Sequence, residues 1–441
     1  MFKLRNNSLR TEQHPLRKYL FRSLRVKVGT TDVDPDMLFT AKTTLDDCSS
    51  SLPPGQKYVA VCVLTGDTFY FVVDVNSKGT QLISQVCNTL KLGKTELFGL
   101  AIFSDGIYQF IDPEQKLSKY APKWWKVLRN NGIDNRKNIV TFHFRIEIYV
   151  DCHLLVNDKI ARHYYYLQLR ENVIKYNQSI NEERAFLLAA YALQADFGNY
   201  NKNIHVGRYF EPQKYFPLSI ILRVGEAYII KYVPAMHKDY TGLSCGEAEI
   251  GYIKEASNHV SSHNLHFYKM SNKKNKLSSD IWLGISPIGI ELYKEDVQKM
   301  KSHLSTFLWA DMAKLFFDRK KFEIRICGCP EERKFTYYTN SEVEARNLLY
   351  LCKVNHQYYL ATRTQVQILK KLEQEGRKPY RESYIYSDET DIVDQIQKES
   401  TSSEISIFSK GGAESNKLSF SKSEEKKLKR NSHTQVFHLS N

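Results

Sequence analysis

No run of about 18 apolar residues occurs in the 441-residue chain, so no membrane-crossing helix is expected. The N-terminus has no apolar core of the kind that directs secretion. The eight cysteines, Cys48, Cys62, Cys87, Cys152, Cys245, Cys327, Cys329 and Cys352, are scattered as reduced intracellular thiols are. Cys327-Gly-Cys329 has no second ligand pair nearby, which argues against a zinc site. No cysteine is followed by the Gly-rich, Arg-ended cradle a phosphatase nucleophile needs. No serine stands in a nucleophile elbow, and no kinase set of Gly-rich loop, lysine and Mg²⁺-binding aspartate is present. Gly284 and Gly289 have the spacing of a phosphate loop, but Ile290 stands where the lysine belongs. His259, His263 and His266 recur at i, i+4 and i+7, yet Val260 replaces the glutamate of a metalloprotease helix. The chain is therefore expected to be no enzyme and to need no cofactor or metal.

Acidic residues fall short of basic ones, giving a net charge of +14. Residues 1–56 carry +3 and residues 381–441 carry −1, so the excess lies in the middle. Anionic partners are favoured: acidic lipid, acidic protein tails or nucleic acid. Nucleic acid is not expected, because acids dilute the lysines within each element and the aromatics fall at strand-core spacing.

Residues 1–27 hold eight Lys/Arg and one acid, Glu12. They read as a basic amphipathic arm, an Arg-rich presequence or a solvated tail. Residues 31–56 turn acidic and then loop-like, as a linker does. Alternation over 58–64 and 69–73 about a Thr-Gly-Asp turn predicts a hairpin. A helix over 80–92 and strands over 97–103 and 139–150 complete a β-grasp pattern. Helices are expected at 163–174, at 184–197 and at 246–256. In the second, Phe186, Ala190, Leu193 and Phe197 share a face that Leu187 and Tyr191 widen. Ser179 and Glu182 have capping-box spacing before it, and Gly198-Asn199 end it. Strands follow over 281–285, 289–293, 312–317, 321–326 and 334–338. A closing helix from Ser341 to about Tyr359 has Ala345, Leu348, Leu349, Cys352 and His356 inward. Beyond Ser387 the chain is Ser/Glu/Lys-rich with few large apolar residues and is not expected to order itself.

Local motifs carry a resemblance in the same order. They are Leu97-Phe98-Gly99-Leu100, Phe142-His143-Phe144-Arg145, Tyr165-Tyr166-Leu167-Gln168-Leu169 and the run LAAYALQADFGNY at 188–200. In the last part they are IWLGI at 281–285, FLW at 307–309, KKF at 320–322 and NHQYY at 355–359. Together these resemble the FERM family over about residues 57–377. The resemblance implies an α+β, three-lobed FERM module: a ubiquitin-like β-grasp (57–150), an acyl-CoA-binding-protein-like helical lobe (151–270) and a pleckstrin/phosphotyrosine-binding-like sandwich (271–377). An N-terminal extension (1–56) and a C-terminal tail (378–441) would be largely disordered. GRYFEPQKYFP at 207–217, MHKD at 236–239 and YRESYI at 380–385 are most similar to the subgroup related to the Expanded proteins.

This similarity implies a non-enzymatic adaptor at the cytoplasmic face of the plasma membrane and at cell junctions. It would bind cytoplasmic tails of membrane proteins or junctional scaffolds and acidic membrane lipids. A place upstream in Hippo growth control, with components of that pathway as partners, is also implied. No Pro-Pro-x-Tyr motif is present to add a tail-borne partner site. A cytoskeleton–membrane linker, or the FERM portion of a tyrosine phosphatase without its catalytic domain, stands as the alternative. Two sites carry over by position. A peptide-binding groove falls on Leu315, Phe317, Leu349, Lys353 and His356, where an added strand would pair by its backbone. Lys353, at a position apolar in relatives, would favour an acidic residue in the peptide. The phosphoinositide cleft falls on Asp112, Glu114, Gln115, Lys116 and Arg346, of which only Lys116 and Arg346 are basic. Lys119, Lys123, Lys126, Lys273, Lys274, Lys276, Arg319, Lys320 and Lys321 offer a second basic face for lipid.

Overall fold

A computed structural model describes residues 52–53, 55–104, 106–122, 125, 139–176, 178–257, 263–272, 280–327, 334–374 and 434–439. The first lobe is a five-stranded sheet in the order β2-β1-β5-β3-β4. Its strands are β1 (Gln56–Cys62), β2 (Thr68–Asp74), β3 (Phe98–Ser104), β4 (Ile107–Phe110) and β5 (Val140–Ile146). β1 pairs antiparallel with β2 and parallel with β5. Helix α1 (Gly79–Leu90) turns Leu82, Val86 and Cys87 into the core. The closing strand is shorter than the apolar alternation over 139–150 suggests. It ends where the amides of Glu147 and Ile148 both donate to the Leu97 carbonyl, at 2.8 and 3.2 Å.

The second lobe consists of α2 (Lys159–Lys175), α3 (Glu182–Phe197), α4 (Leu218–Val224), α5 (Glu226–Asp239) and α6 (Cys245–Ala256). In α2, Tyr164, Tyr165 and Tyr166 are all buried, so this helix is surrounded rather than amphipathic. α3 buries Ala185, Phe186, Leu188, Ala189, Ala190, Ala192 and Leu193. Its N-cap is Asn181, whose Oδ1 accepts from the Arg184 amide at 2.9 Å. The expected Ser179 cap does not form; the Ser179 amide donates instead to the Lys301 carbonyl. Gly198 ends the helix at φ +70. α6 packs so closely on α3 that a Cβ at Gly251 would lie 2.4 Å from the Tyr191 ring.

The third lobe is a sandwich of two four-stranded sheets. One runs β6-β7-β8-β9 and the other β12-β11-β10-β13. The first holds β6 (His266–Met270), β7 (Ile281–Ser286), β8 (Gly289–Glu295) and β9 (Lys301–Leu308). The second holds β10 (Met312–Asp318), β11 (Lys321–Ile326), β12 (Lys334–Tyr338) and β13 (Thr434–His438). β6 pairs with β7, so the sheet draws on residues upstream of position 271. His266 therefore lies on a strand and His263 in the segment leading into it, so these two do not share a helix; His259 lies outside the described residues. The His266 Nε2 donates to the Glu147 carbonyl at 2.9 Å. β13 is an ordered strand within a tail expected to be largely disordered.

Helix α7 (Glu342–Gln374) is 33 residues long and runs well past the predicted end near Tyr359. Ala345, Leu348, Leu351 and Cys352 belong to the third-lobe core. Further on, Val366 and Leu369 join the apolar core shared by the first and second lobes. Lys370 pairs with Asp151 at 2.7 Å, and Lys254 pairs with Glu373.

The three lobes meet around Glu147, which is 7% exposed. Its carbonyl accepts from His266 and, at 3.4 Å, from Asn355 Nδ2 on α7. Its carboxyl receives the Tyr350 hydroxyl, while Oε1 has no partner among the described residues. Asn347 donates to the Phe110 carbonyl at 2.7 Å and accepts from the Tyr268 hydroxyl. Burial pushes the Glu147 carboxyl up from 4.5 to about 8. The folded chain thus keeps a proton there that the unfolded chain releases above about 4.5. Stability should fall as pH rises through that window, until the folded carboxyl itself ionises near 8. Glu147→Gln should flatten the fall of melting temperature between pH 5 and 8, which thermal melts at stepped pH will check. Leu193 has no exposed surface, so Leu193→Asp should cost about 4 kcal/mol or more and unfold the platform in the same assay.

Candidate protein-binding groove

β10 buries Met312, Leu315 and Phe317 at alternate or near-alternate positions, and this inner face points toward α7. β11 covers one side of β10. On the other side lies the terminal strand β13, antiparallel, with Leu315 opposite Phe437 and Phe317 opposite Gln435. The ladder runs from Asp318↔Thr434 to Lys314↔His438. The Leu439 amide extends it, donating to the Ala313 carbonyl at 3.2 Å.

The two described side chains of this segment point inward. Leu439 is 7% exposed and belongs to the third-lobe core. Phe437 is half-buried, its ring 5.8 Å from the His356 imidazole and nearly perpendicular to it, at 84°. His356 is 2% exposed and lies 5.7 Å from Trp309. Burial pushes its imidazole down to about 4, which keeps the ring neutral. Its Nε2 has no hydrogen-bond partner among the described residues. Leu349 packs half-buried against the same cluster.

Of the five groove residues expected from sequence, Leu315, Phe317, Leu349 and His356 come together around β13. Lys353 is exposed, one turn from both Leu349 and His356, and marks the rim. Phe437 and Leu439 were missed. The signal for them is the short alternation Val436-Phe437-His438-Leu439 inside an otherwise polar stretch.

The basic residues are less convergent. Lys116 is exposed and donates to Asn76 Oδ1 at 3.3 Å; Lys119 is exposed beside the Tyr120 ring. Asp112 Oδ1 accepts from the Glu114 amide, and Glu114 pairs with Lys78 at 3.1 Å. Arg346 pairs with Glu342. Arg319 and Lys320 are exposed in the tight turn between β10 and β11, where Arg319 has φ +52. Lys321 is engaged by the buried Glu323 at 2.8 Å. Lys123, Lys126, Lys273, Lys274 and Lys276 lie outside the described residues, as do residues 1–51. Among the described residues no group of three or more His, Cys, Asp and Glu side chains could hold a metal ion. No described helix is long and apolar enough to cross a membrane.

A β-grasp sheet, a helical lobe and a two-sheet sandwich closed by a helix define a three-lobed α+β module. Three family profiles match it in that order: the FERM N-terminal domain over residues 61–123, the FERM central domain over 151–268 and the FERM C-terminal PH-like domain over 275–367. The chain belongs to the FERM family. It is 30% identical to Protein expanded of Drosophila melanogaster, over 76% of this chain and 28% of that protein. It is 28% identical to human tyrosine-protein phosphatase non-receptor type 13, over 70% of this chain and 12% of that protein. The chain thus spans less than a third of the length of these curated relatives. Among solved structures it resembles the FERM and C-terminal domain complex of Drosophila Merlin, with TM-score 0.56, 21% identity and coverage of 70% and 98%. It also resembles the human myosin 7b MyTH4-FERM domain in complex with the harmonin-a PDZ3 domain, with TM-score 0.51, 14% identity and coverage of 69% and 60%.

Deleting residues 434–441 should leave the free edge of β10 open to solvent. Hydrogen–deuterium exchange should then speed at least tenfold across β10 and stay unchanged in β7 and β8. Equal exchange in both forms would show that β13 does not hold its place in solution.

Proposed function

We propose that this chain is a non-enzymatic adaptor that holds protein tails at the cytoplasmic face of the plasma membrane and at cell junctions. The observation that carries this reading is an extended segment already seated on β10 beside α7. An edge strand offers unpaired backbone groups at regular spacing, and an extended peptide satisfies them without needing a particular sequence. Affinity then comes from the ladder, and selectivity from the pockets beside Leu315, Leu349 and His356. Lys353 at the rim favours tails with an acidic residue nearby. Two solved relatives support the reading by what they contain: one is a FERM domain with a C-terminal domain, the other a MyTH4-FERM domain with a PDZ domain.

The likeness to Protein expanded supports a role upstream in Hippo growth control. Docking on acidic lipid is supported by the net charge of +14 and by the exposed Lys116, Lys119, Arg319 and Lys320.

Proximity labelling in cells tests the adaptor reading. The wild-type chain should label a defined set of membrane and junction proteins, and Lys353→Glu should lose part of that set while keeping its melting temperature. An identical set in both would remove the groove from the function.

A further inference from the structure

Alternation along β8 sends Ile290 and Leu292 into the third-lobe core and turns Glu291 and Tyr293 to the opposite face of the sheet. That face looks toward the second lobe, where Gln178 Nε2 donates to the Tyr293 hydroxyl at 3.3 Å. A cleft of about 290 Å³ opens between the two lobes. Glu291 and His303 line it from the sheet, and Asp151 and Ser257 line it from the other side. Pro287, Ile288 and Leu308 give it an apolar wall. Glu291 is 6% exposed, and its Oε2 accepts from the Tyr293 hydroxyl at 2.6 Å. Among the described residues its Oε1 takes no hydrogen bond and the carboxylate makes no ion pair. A carboxylate so far removed from water is costly without a counter-charge. Asp151 adds a second negative charge to the cleft, and its Oδ2 already holds Lys370 at 2.7 Å. His303 Nε2 and the Thr306 hydroxyl are 2.8 Å apart and occupy each other. A chain of net charge +14 thus carries one acceptor-rich recess with an apolar side. No described trio of His, Cys, Asp and Glu converges there as a metal site. A cationic head on a short aliphatic stem matches both the carboxylate and the apolar wall.

We propose that the cleft between the second and third lobes binds an organic cation, an ammonium or guanidinium group on a short aliphatic chain. Glu291 supplies the counter-charge, Tyr293 holds its carboxylate in place, and Pro287, Ile288 and Leu308 cover the stem. A free alkylamine offers this chemistry, and so does a lysine or arginine side chain of a bound protein. The site shares no lining residue with the β10 groove, so it stands or falls apart from the strand-adding reading.

Isothermal titration calorimetry on the full chain at fixed ionic strength tests this with three probes. Agmatine stands for a free alkylamine, N-acetyl-arginine amide for a protein side chain, and n-butylurea is a neutral control of similar shape. At least one cation should bind saturably to a single site, at least tenfold more tightly than butylurea. Glu291→Gln keeps the side-chain size and an acceptor for the Tyr293 hydroxyl but removes the charge, so it should weaken that binding at least tenfold. A melting-temperature measurement checks that the variant is folded. Thr306→Trp, at an exposed position on the cleft, replaces it if it is not, and should block binding by filling the space. Tighter binding of agmatine supports the proposal with a free amine as ligand; equal or tighter binding of the arginine amide supports it with a protein side chain. Butylurea bound as tightly as the cations would overturn it, as would unchanged cation binding in a folded variant. The absence of saturable binding by either cation would also overturn it.

Discussion

One helix is shared by both apolar cores, and the site depends on that sharing. The first half of α7 packs Ala345, Leu348 and Cys352 into the third lobe. Its second half sends Val366 and Leu369 into the core of the first two lobes, with Lys370 tied to Asp151. A helix fixed at both ends is a rigid wall. β10 lies along that wall, so the groove between them has a defined width and a defined floor at His356. Any force that separated the lobes would also move the wall.

The second constraint is the open side of β10. Backbone amides and carbonyls along a strand edge need partners or water, and a strand flanked by an apolar helix face gains more by pairing than by hydration. β13 meets that need here. The Phe437–His356 contact and the burial of Leu439 fix its register, because a slip of one residue would turn both side chains to the opposite face. The hold on β13 is therefore divided between a ladder that any extended segment can make and the two side chains turned inward, Phe437 and Leu439.

Much of this is legible in the sequence alone. Alternation predicted β1, β2, β7, β8, β10, β11 and β12. Helical spacing predicted α3 with Phe186 and Leu193 inward. Helical spacing also places Ala345, Leu348, Cys352 and His356 on the inner face of α7, where all four are buried. Other parts gave little local signal. Among the described side chains of the last four turns of α7 just Val366 and Leu369 are buried, with Ile368 and Leu372 half-buried, and Thr, Gln, Lys, Arg and Glu fill most other positions, so the apolar signal is thinner than in the first half. The cap of α3 is Asn181 rather than Ser179, and the Ser179 amide instead joins Lys301, 122 positions on, in a bridge between lobes. The tail strand was hidden because five residues of weak alternation inside a Ser/Lys/Glu stretch cannot bury enough surface to order themselves.

The sequence by itself determined many of the strands and helices, the order of the three lobes and the family, since each follows from periodicities and motifs within some twenty residues. Tertiary structure alone decided where the groove is, what lines it and what fills it. Its parts come from β10, α7 and a segment more than a hundred residues beyond β10, and no local pattern encodes their meeting. The physical reason is that β13 gains its order from pairing with an edge that another part of the chain provides.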